Sequence, residues 1–333
     1  MELCYLLAFP DMNEKPSTPE PFHGLKDAPY FQPVDIDLHT LGMETVEILG
    51  HPVSVMRQRY DGQVQVIEFR FEQEDPFAAS SLQSRRELKD ALQARFIPAK
   101  YRESGLFEEY IILLVKKIRG TPDKWIDHHG RSLAKFLRAQ REVLDRKETD
   151  EILASRVRYS KQDLTLVEWE GAVILAADGD FASDILLLKI GNYQLIRYRM
   201  LDKSVETLLD HINESFFLNR KRPRPTRGAI RRIVEHRLEV MLDFERAEQN
   251  LLLIGDWYTA KLYKTIRDEF YLEEWKNAIR GKLDNLESIT QTIKENFTLS
   301  VESLWSRIEM AGWAILLIGY IYLFFADVGL FGK

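Results

Sequence analysis

Ala311–Lys333 reads AGWAILLIGYIYLFFADVGLFGK. No residue from Ala311 to Ala326 is charged, and between Met310 and Leu330 only Asp327 is. About 20 apolar residues rising 1.5 Å each span about 30 Å, the hydrocarbon thickness of a bilayer. Asp327 falls roughly 26 Å along the axis from Met310, where a carboxylate reaches headgroups and water. Trp305 and Trp313 stand at the near end, as interfacial aromatics do. A buried core helix is the plainer alternative, but such helices seldom show so little polar periodicity. The segment is expected to be one C-terminal transmembrane helix over 310–331. Gly312 and Gly319, seven apart on one helical face, would let two copies approach.

Working outward, the opening MELCYLLAFPDM carries Glu2 where a signal peptide wants a cation, and its apolar run is short. It reads as a first strand. One span and no leader predict a single-pass, tail-anchored protein with its N-terminal part in the cytoplasm. A bacterial cytoplasmic membrane is preferred over a mitochondrial inner membrane. Charged content of 29% against 45% hydrophobic excludes wholesale disorder, and the net charge of −6 excludes a uniformly nucleic-acid-binding surface. Cys4 is the one cysteine, so an intrachain disulfide is excluded.

Residues 1–219 read as a soluble α+β domain. PVSVMRQRYDGQVQVIEFRFE (Pro52–Glu72) is a hairpin turning at Asp61-Gly62. SSLQSRRELKDALQARF is helical through Leu82, Leu88, Leu92 and Phe96, and EEYIILLVKKI is strand or helix. Thr121 and Pro122 open a further helix, which Gly130 is expected to divide. LTLVEWEGAVILAADGD (Leu164–Asp180) reads as a strand pair or one bent strand. DILLLKIGNYQLIRYRML (Asp184–Leu201) reads as a second hairpin at Gly191-Asn192, followed by a helix capped by Asp202 or Ser204.

A basic linker, 220–228, separates this domain from a helical, coiled-coil-like region, 229–309. In it Trp275, Ile279, Leu283, Leu286, Ile289, Ile293, Phe297, Val301, Leu304 and Ile308 recur at steps of three or four, close to the 3.5 period of a coiled coil. Packing against neighbours within one chain explains the spacing equally well. Trp275, Ile279, Leu283, Leu286, Ile293, Phe297 and Leu304, with Gly312 and Gly319, are the expected self-association positions.

Arg220, Lys221, Arg222, Arg224, Arg227, Arg231 and Arg232 form a run without an acid. Such a run suits phosphates of anionic lipid headgroups or RNA, or serves as a solvated linker. Asp178, Asp180 and Asp184 in DGDFASD are the candidate ligands for a hard cation, but the remaining EF-hand pattern is missing, so a polar turn is the better reading. His128 and His129 are adjacent and point about 100° apart on a helix, which makes them poor co-ligands. HExxH, GxSxG, GxGxxG and P-loop patterns do not occur. No cofactor and no catalytic residue is assigned.

The succession LLLIGDWYTAKLYKTIRDEFYLEEWKNAIRGKLDNLESITQTIKE (Leu251–Glu295), followed by a helix and a terminal span, resembles the required-for-meiotic-nuclear-division family over Ile230–Phe325. That resemblance implies one C-terminal membrane segment and, for eukaryotic relatives, a tie to organelle translation. The expected function is a non-enzymatic, tail-anchored scaffold or adaptor. Its expected partners are membrane lipid, further copies of itself and an anionic partner. The alternatives are an oligomeric membrane pore or cation-handling protein, and a membrane tether for RNA or ribosomes.

Overall fold

A strand with no polar face must be covered on both sides, and ELCYLLAFP (Glu2–Pro10), strand β1, is such a strand: Leu3 to Phe9 are all buried. The computed structural model describes residues 1–11, 36–118, 120–140, 142, 144–212, 227–249 and 257–327. Within them β1 is followed by β2 (Leu38–Ile48), β3 (His51–Tyr60) and β4 (Val64–Glu72). Next come α1 (Ala79–Phe96), α2 (Ala99–Glu103), β5 (Glu108–Val115), α3 (Pro122–Leu137) and α4 (Arg146–Ile152). Strands β6 (Arg156–Val157), β7 (Asp163–Val167) and β8 (Gly171–Ala176) precede the helices α5 (Ala182–Ile212), α6 (Arg227–Gln249), α7 (Trp257–Glu269) and α8 (Leu272–Asp327).

The strands form one mixed sheet in the order β2-β3-β4-β1-β5-β8-β7-β6. Only the β5–β8 pair is parallel, with Leu113 opposite Val173. Asp61 and Gly62 turn β3 into β4 with φ of 50° and 65°, the two positive values of a type I′ turn. Because side chains alternate along a strand, Leu3, Tyr5, Leu7 and Phe9 join one core with Leu88 and Leu92 of α1, Ile126 and Leu133 of α3 and Ile152 of α4. The opposite face meets α5 and α7. There Lys189 pairs with Glu68, Asp184 accepts from Thr165 and Tyr258, and Tyr110 packs its ring 5.1 Å from that of Phe270.

The chain divides into two compact units, Met1–Lys203 with Leu242–Ile279, and Ser204–Met241 with Arg280–Lys333. The second is helical. It buries Val205, Leu208 and Ile212 of α5, Val240 of α6, and Leu283, Leu286 and Ile293 of α8. Ion pairs join Lys282 to Glu206 and Arg237 to Glu287, both at 2.9 Å.

Several expectations are corrected. Among the described residues no helix is long and apolar enough to cross a membrane. The charge-free run Met310–Ala326 is 17 residues, about 26 Å of helix, and falls short of the roughly 30 Å core of a bilayer. The expected transmembrane helix, the tail anchor and the single-pass membrane placement go with it. No coiled coil is present among the described residues either. Ile279 and Leu286 are fully buried, and Leu283 and Ile293 nearly so, by their own chain.

The second expected hairpin is a helix: Asp184–Leu201 lies inside α5, which continues through Asp202 and Ser204 without a new start. Residues 183–198 are all buried, so no polar face remains to mark a helical period. Gly130 does not divide α3; it sits inside the helix with Leu153 Cδ1 3.1 Å from where a Cβ would stand. The stretch 12–35 lies outside the described residues.

Candidate functional site

Four residues of α1, Arg86, Lys89, Asp90 and Gln93, follow the i, i+3, i+4, i+7 spacing that puts side chains on one helical face. That face forms one wall of a cleft of about 650 Å³ in the first unit. The start of β5 supplies Phe107, Glu108, Glu109 and Tyr110. The end of α3 supplies Arg138 and Ala139, and the β7–β8 turn supplies Trp169 and Glu170. Asn192, Leu195 and Phe270 also line it.

Most charges in the cleft are satisfied by protein groups. Lys89 Nζ lies 2.9 Å from Glu109 Oε1 and 5.3 Å from the centroid of the Tyr5 ring. The other Glu109 oxygen accepts from the Tyr5 hydroxyl at 2.6 Å and from Gln93 Nε2 at 2.7 Å. Arg86 Nη2 donates to the Ala139 carbonyl at 2.6 Å. Ala139 occupies the left-handed region, φ 46°, where α3 ends: its N–H donates to Phe136 O, and the Gln140 N–H donates to Lys135 O. This is a Schellman ending with alanine in the place usually held by glycine. Arg138 Nη2 pairs with Glu168 at 2.9 Å, whose second oxygen accepts the Glu170 N–H. Arg199 binds Glu108 together with the carbonyls of Gly105 and Phe107.

Burial pushes Glu108 above the usual carboxylate range despite Arg199. Burial does the same to Glu168, although the Glu170 amide and Arg138 oppose it. Glu170 is raised too, again by burial, against the pull of Arg138 and Lys89. Two lining acids, Glu170 and Asp90, are exposed and form no direct ion pair among the described residues, though Arg138 and Lys89 attract Glu170 from farther off. Beside Glu170, Trp169 is 37% exposed, its ring 6.3 Å from Phe270 and 5.7 Å from Tyr271. Carboxylates next to aromatic faces form a setting for a cation with an apolar stem.

None of the site residues expected from the sequence lies here. Arg220, Lys221, Arg222 and Arg224 lie outside the described residues, as does the side chain of Arg227. Arg231 is exposed and paired with Glu235 at 2.7 Å, and Arg232 is exposed. Trp275 is half-buried, the side chains of Phe297 and Leu304 lie outside the described residues, and Gly312 and Gly319 face open space.

Asp184 is not in a loop with Asp178 and Asp180 but buried in α5. Among the described residues no group of three or more metal-ligating side chains converges. His129 Nδ1 lies 2.8 Å from the Trp125 carbonyl. Two traces of the cleft stand in the sequence, the spacing of Arg86, Lys89, Asp90 and Gln93 and the acid-aromatic-acid turn Glu168-Trp169-Glu170.

Residues 25–182 match a family model described as the N-terminal domain of uncharacterized protein MJ0711. The chain is similar to the uncharacterized protein MJ0711 of Methanocaldococcus jannaschii, 24% identical over 220 residues, covering 64% of this chain and 66% of that protein. The match thus spans a little under two thirds of that relative's length. No solved structure matches. The likeness lies with that uncharacterized family, which corrects the resemblance to the required-for-meiotic-nuclear-division family.

Proposed function

We propose that the protein is a non-catalytic adaptor that holds a basic peptide segment, through a lysine or arginine side chain, in the α1–β5–α3 cleft. The observation that carries this reading is the pair of acids Asp90 and Glu170, which line the cleft without a direct ion pair among the described residues, Glu170 beside exposed Trp169. An incoming ammonium or guanidinium would add to the pull that Arg138 and Lys89 already exert on Glu170, whose pKa partial burial raises. Its aliphatic stem would lie on the aromatic wall. The reading keeps the adaptor role expected from the sequence and moves its contact surface from α8 to the cleft.

The test is calorimetric titration with a short lysine- and arginine-rich peptide and with the same peptide carrying norleucine. Binding of the basic peptide alone is expected, weakened roughly tenfold by Glu170→Gln and by Trp169→Ala. It should also weaken as pH falls through the raised range of Glu170. Equal binding of both peptides, or variants that bind like the parent, rejects the cleft as the contact.

A further inference from the structure

Arg85 of α1 is 4% exposed, yet no carboxylate stands within ion-pair distance of it among the described residues. Its Nη1 alone finds acceptors, the Pro76 carbonyl at 3.2 Å and Gln73 Oε1 at 3.4 Å. The guanidinium carbon lies 4.4 Å from the centroid of the Phe136 ring. Nε and Nη2 have no acceptor among the described residues. That edge is the one with which arginine forks a carboxylate or phosphate. Burial, then repulsion from Arg86, brings the guanidinium down to about 10, which leaves it charged at neutral pH. The free edge is not sealed in the core but open to water, so an anion that reached it would take the place of solvent on a largely buried cation.

Arg85 lines a cavity of about 130 Å³, together with Lys135, Ser132, Gln140 and the first residues of α1, Ala78 and Ala79. No acid lines it. Helix α1 has no acid in its first turn, and Ala78 at its N-cap offers no side-chain acceptor, so its first amides, beside this cavity, have no side-chain cap. Asp75, just ahead of the helix, spends Oδ1 on the Phe77 N–H at 3.0 Å. Arg85 also borders a wider groove that contains Glu72 and Glu74, but neither comes within ion-pair distance. Two cations, a hydroxyl, an amide and a helix N-terminus, set among Pro76, Phe77, Leu82 and Phe136, surround a space that suits one tetrahedral dianion and leaves no room for a nucleotide.

We propose that this cavity binds a phosphate group, free or at the end of a small phosphomonoester, forked by the Nε–Nη2 edge of Arg85 at the N-terminus of α1. Thermal unfolding of the full chain, titrated with inorganic phosphate against sodium chloride at matched ionic strength, tests it. Phosphate is expected to raise the midpoint saturably. Arg85→Met should weaken the apparent dissociation constant roughly tenfold or more, and Lys135→Gln several-fold.

Methionine replaces an unpaired buried charge with an apolar chain of similar length, so the variant is expected to fold. Should it not, Arg85→Lys, which keeps the charge and loses the fork, and Lys135→Gln carry the comparison. Glycerol phosphate run in parallel separates the sources: tighter binding of it assigns a phosphomonoester, tighter binding of phosphate the free ion. A parent protein indifferent to both, or variants with unchanged dissociation constants, overturns the proposal.

Discussion

Glu68 and Lys189 are 4% and 5% exposed and form an ion pair between β4 and α5, with Gln58 accepting from the ammonium at 2.9 Å. Burial alone would raise the Glu68 carboxyl, but Lys189 and Arg70 outweigh it and hold the group below its ordinary value. A carboxylate depressed by folding contributes stability above its unfolded pKa, about 4.3, and that contribution is lost as pH falls through the lower folded value. Glu68→Gln, which strands the buried Lys189, should cost about 3–5 kcal/mol in urea unfolding at pH 7, and Lys189→Met, which leaves Glu68 paired with Arg70, should cost less. Glu68→Gln should also flatten the acid limb of the stability profile. The double replacement Glu68→Leu, Lys189→Met should recover most of the loss. A Glu68→Gln cost below about 1 kcal/mol would mean that water reaches the pair.

Neither residue announces the pairing: Glu68 sits in an alternating strand, and Lys189 reads as one polar position in an apolar run. The same holds for Arg85, which looks like an ordinary helix-surface arginine until the loop at Pro76 and the ring of Phe136 close over it.

Elements were legible where local chemistry decides them. Asp61-Gly62 dictates its turn, and Thr121 with Pro122 dictates the start of α3, where Lys124 N–H donates to the threonine hydroxyl. Helix α5 was illegible because both of its sides are covered, so the Gly191-Asn192 pair passed for a turn. Asn192 Nδ2 instead donates to the Leu188 carbonyl one turn back, at 2.9 Å, and Gly191 marks a close crossing. A Cβ there would stand 2.5 Å from Ile266 Cγ2 and 3.1 Å from Phe270 Cε2. Gly191→Ala should therefore destabilise by about 1–3 kcal/mol through overpacking, even though alanine gains up to about 1 kcal/mol in helix propensity. Pairing it with Ile266→Ala should be less costly than the two single effects added together. A stabilised single variant would show that α7 can retreat at no cost.

Across the whole molecule, the cleft and the sheet depend on pairings far apart in the chain, such as Leu3 opposite Leu113 and Glu108 beside Arg199. Periodicity within a window of ten or twenty residues carries no trace of them. Composition likewise did not distinguish a bilayer-spanning end from a shorter apolar one; the length of its charge-free run does. Cys4 offers a readout of the first unit's cooperativity. Its thiol is fully buried, and burial first, then Glu68, pushes it well above the ordinary thiol range. Alkylation by iodoacetamide at pH 8 should proceed only through unfolding, with a rate that rises in parallel with the circular-dichroism transition in urea. Rapid modification in the absence of denaturant would show that β1 opens locally.

The position of β1 has one further outcome. Of the strands in this sheet it is made first, yet it lies at the middle, with β4 on one edge and β5 on the other. Until Val115 has been synthesised, one of its edges stays open to stray strands. Removing it would not trim a border but cut the sheet into two separate ribbons, β2-β3-β4 and β5-β8-β7-β6.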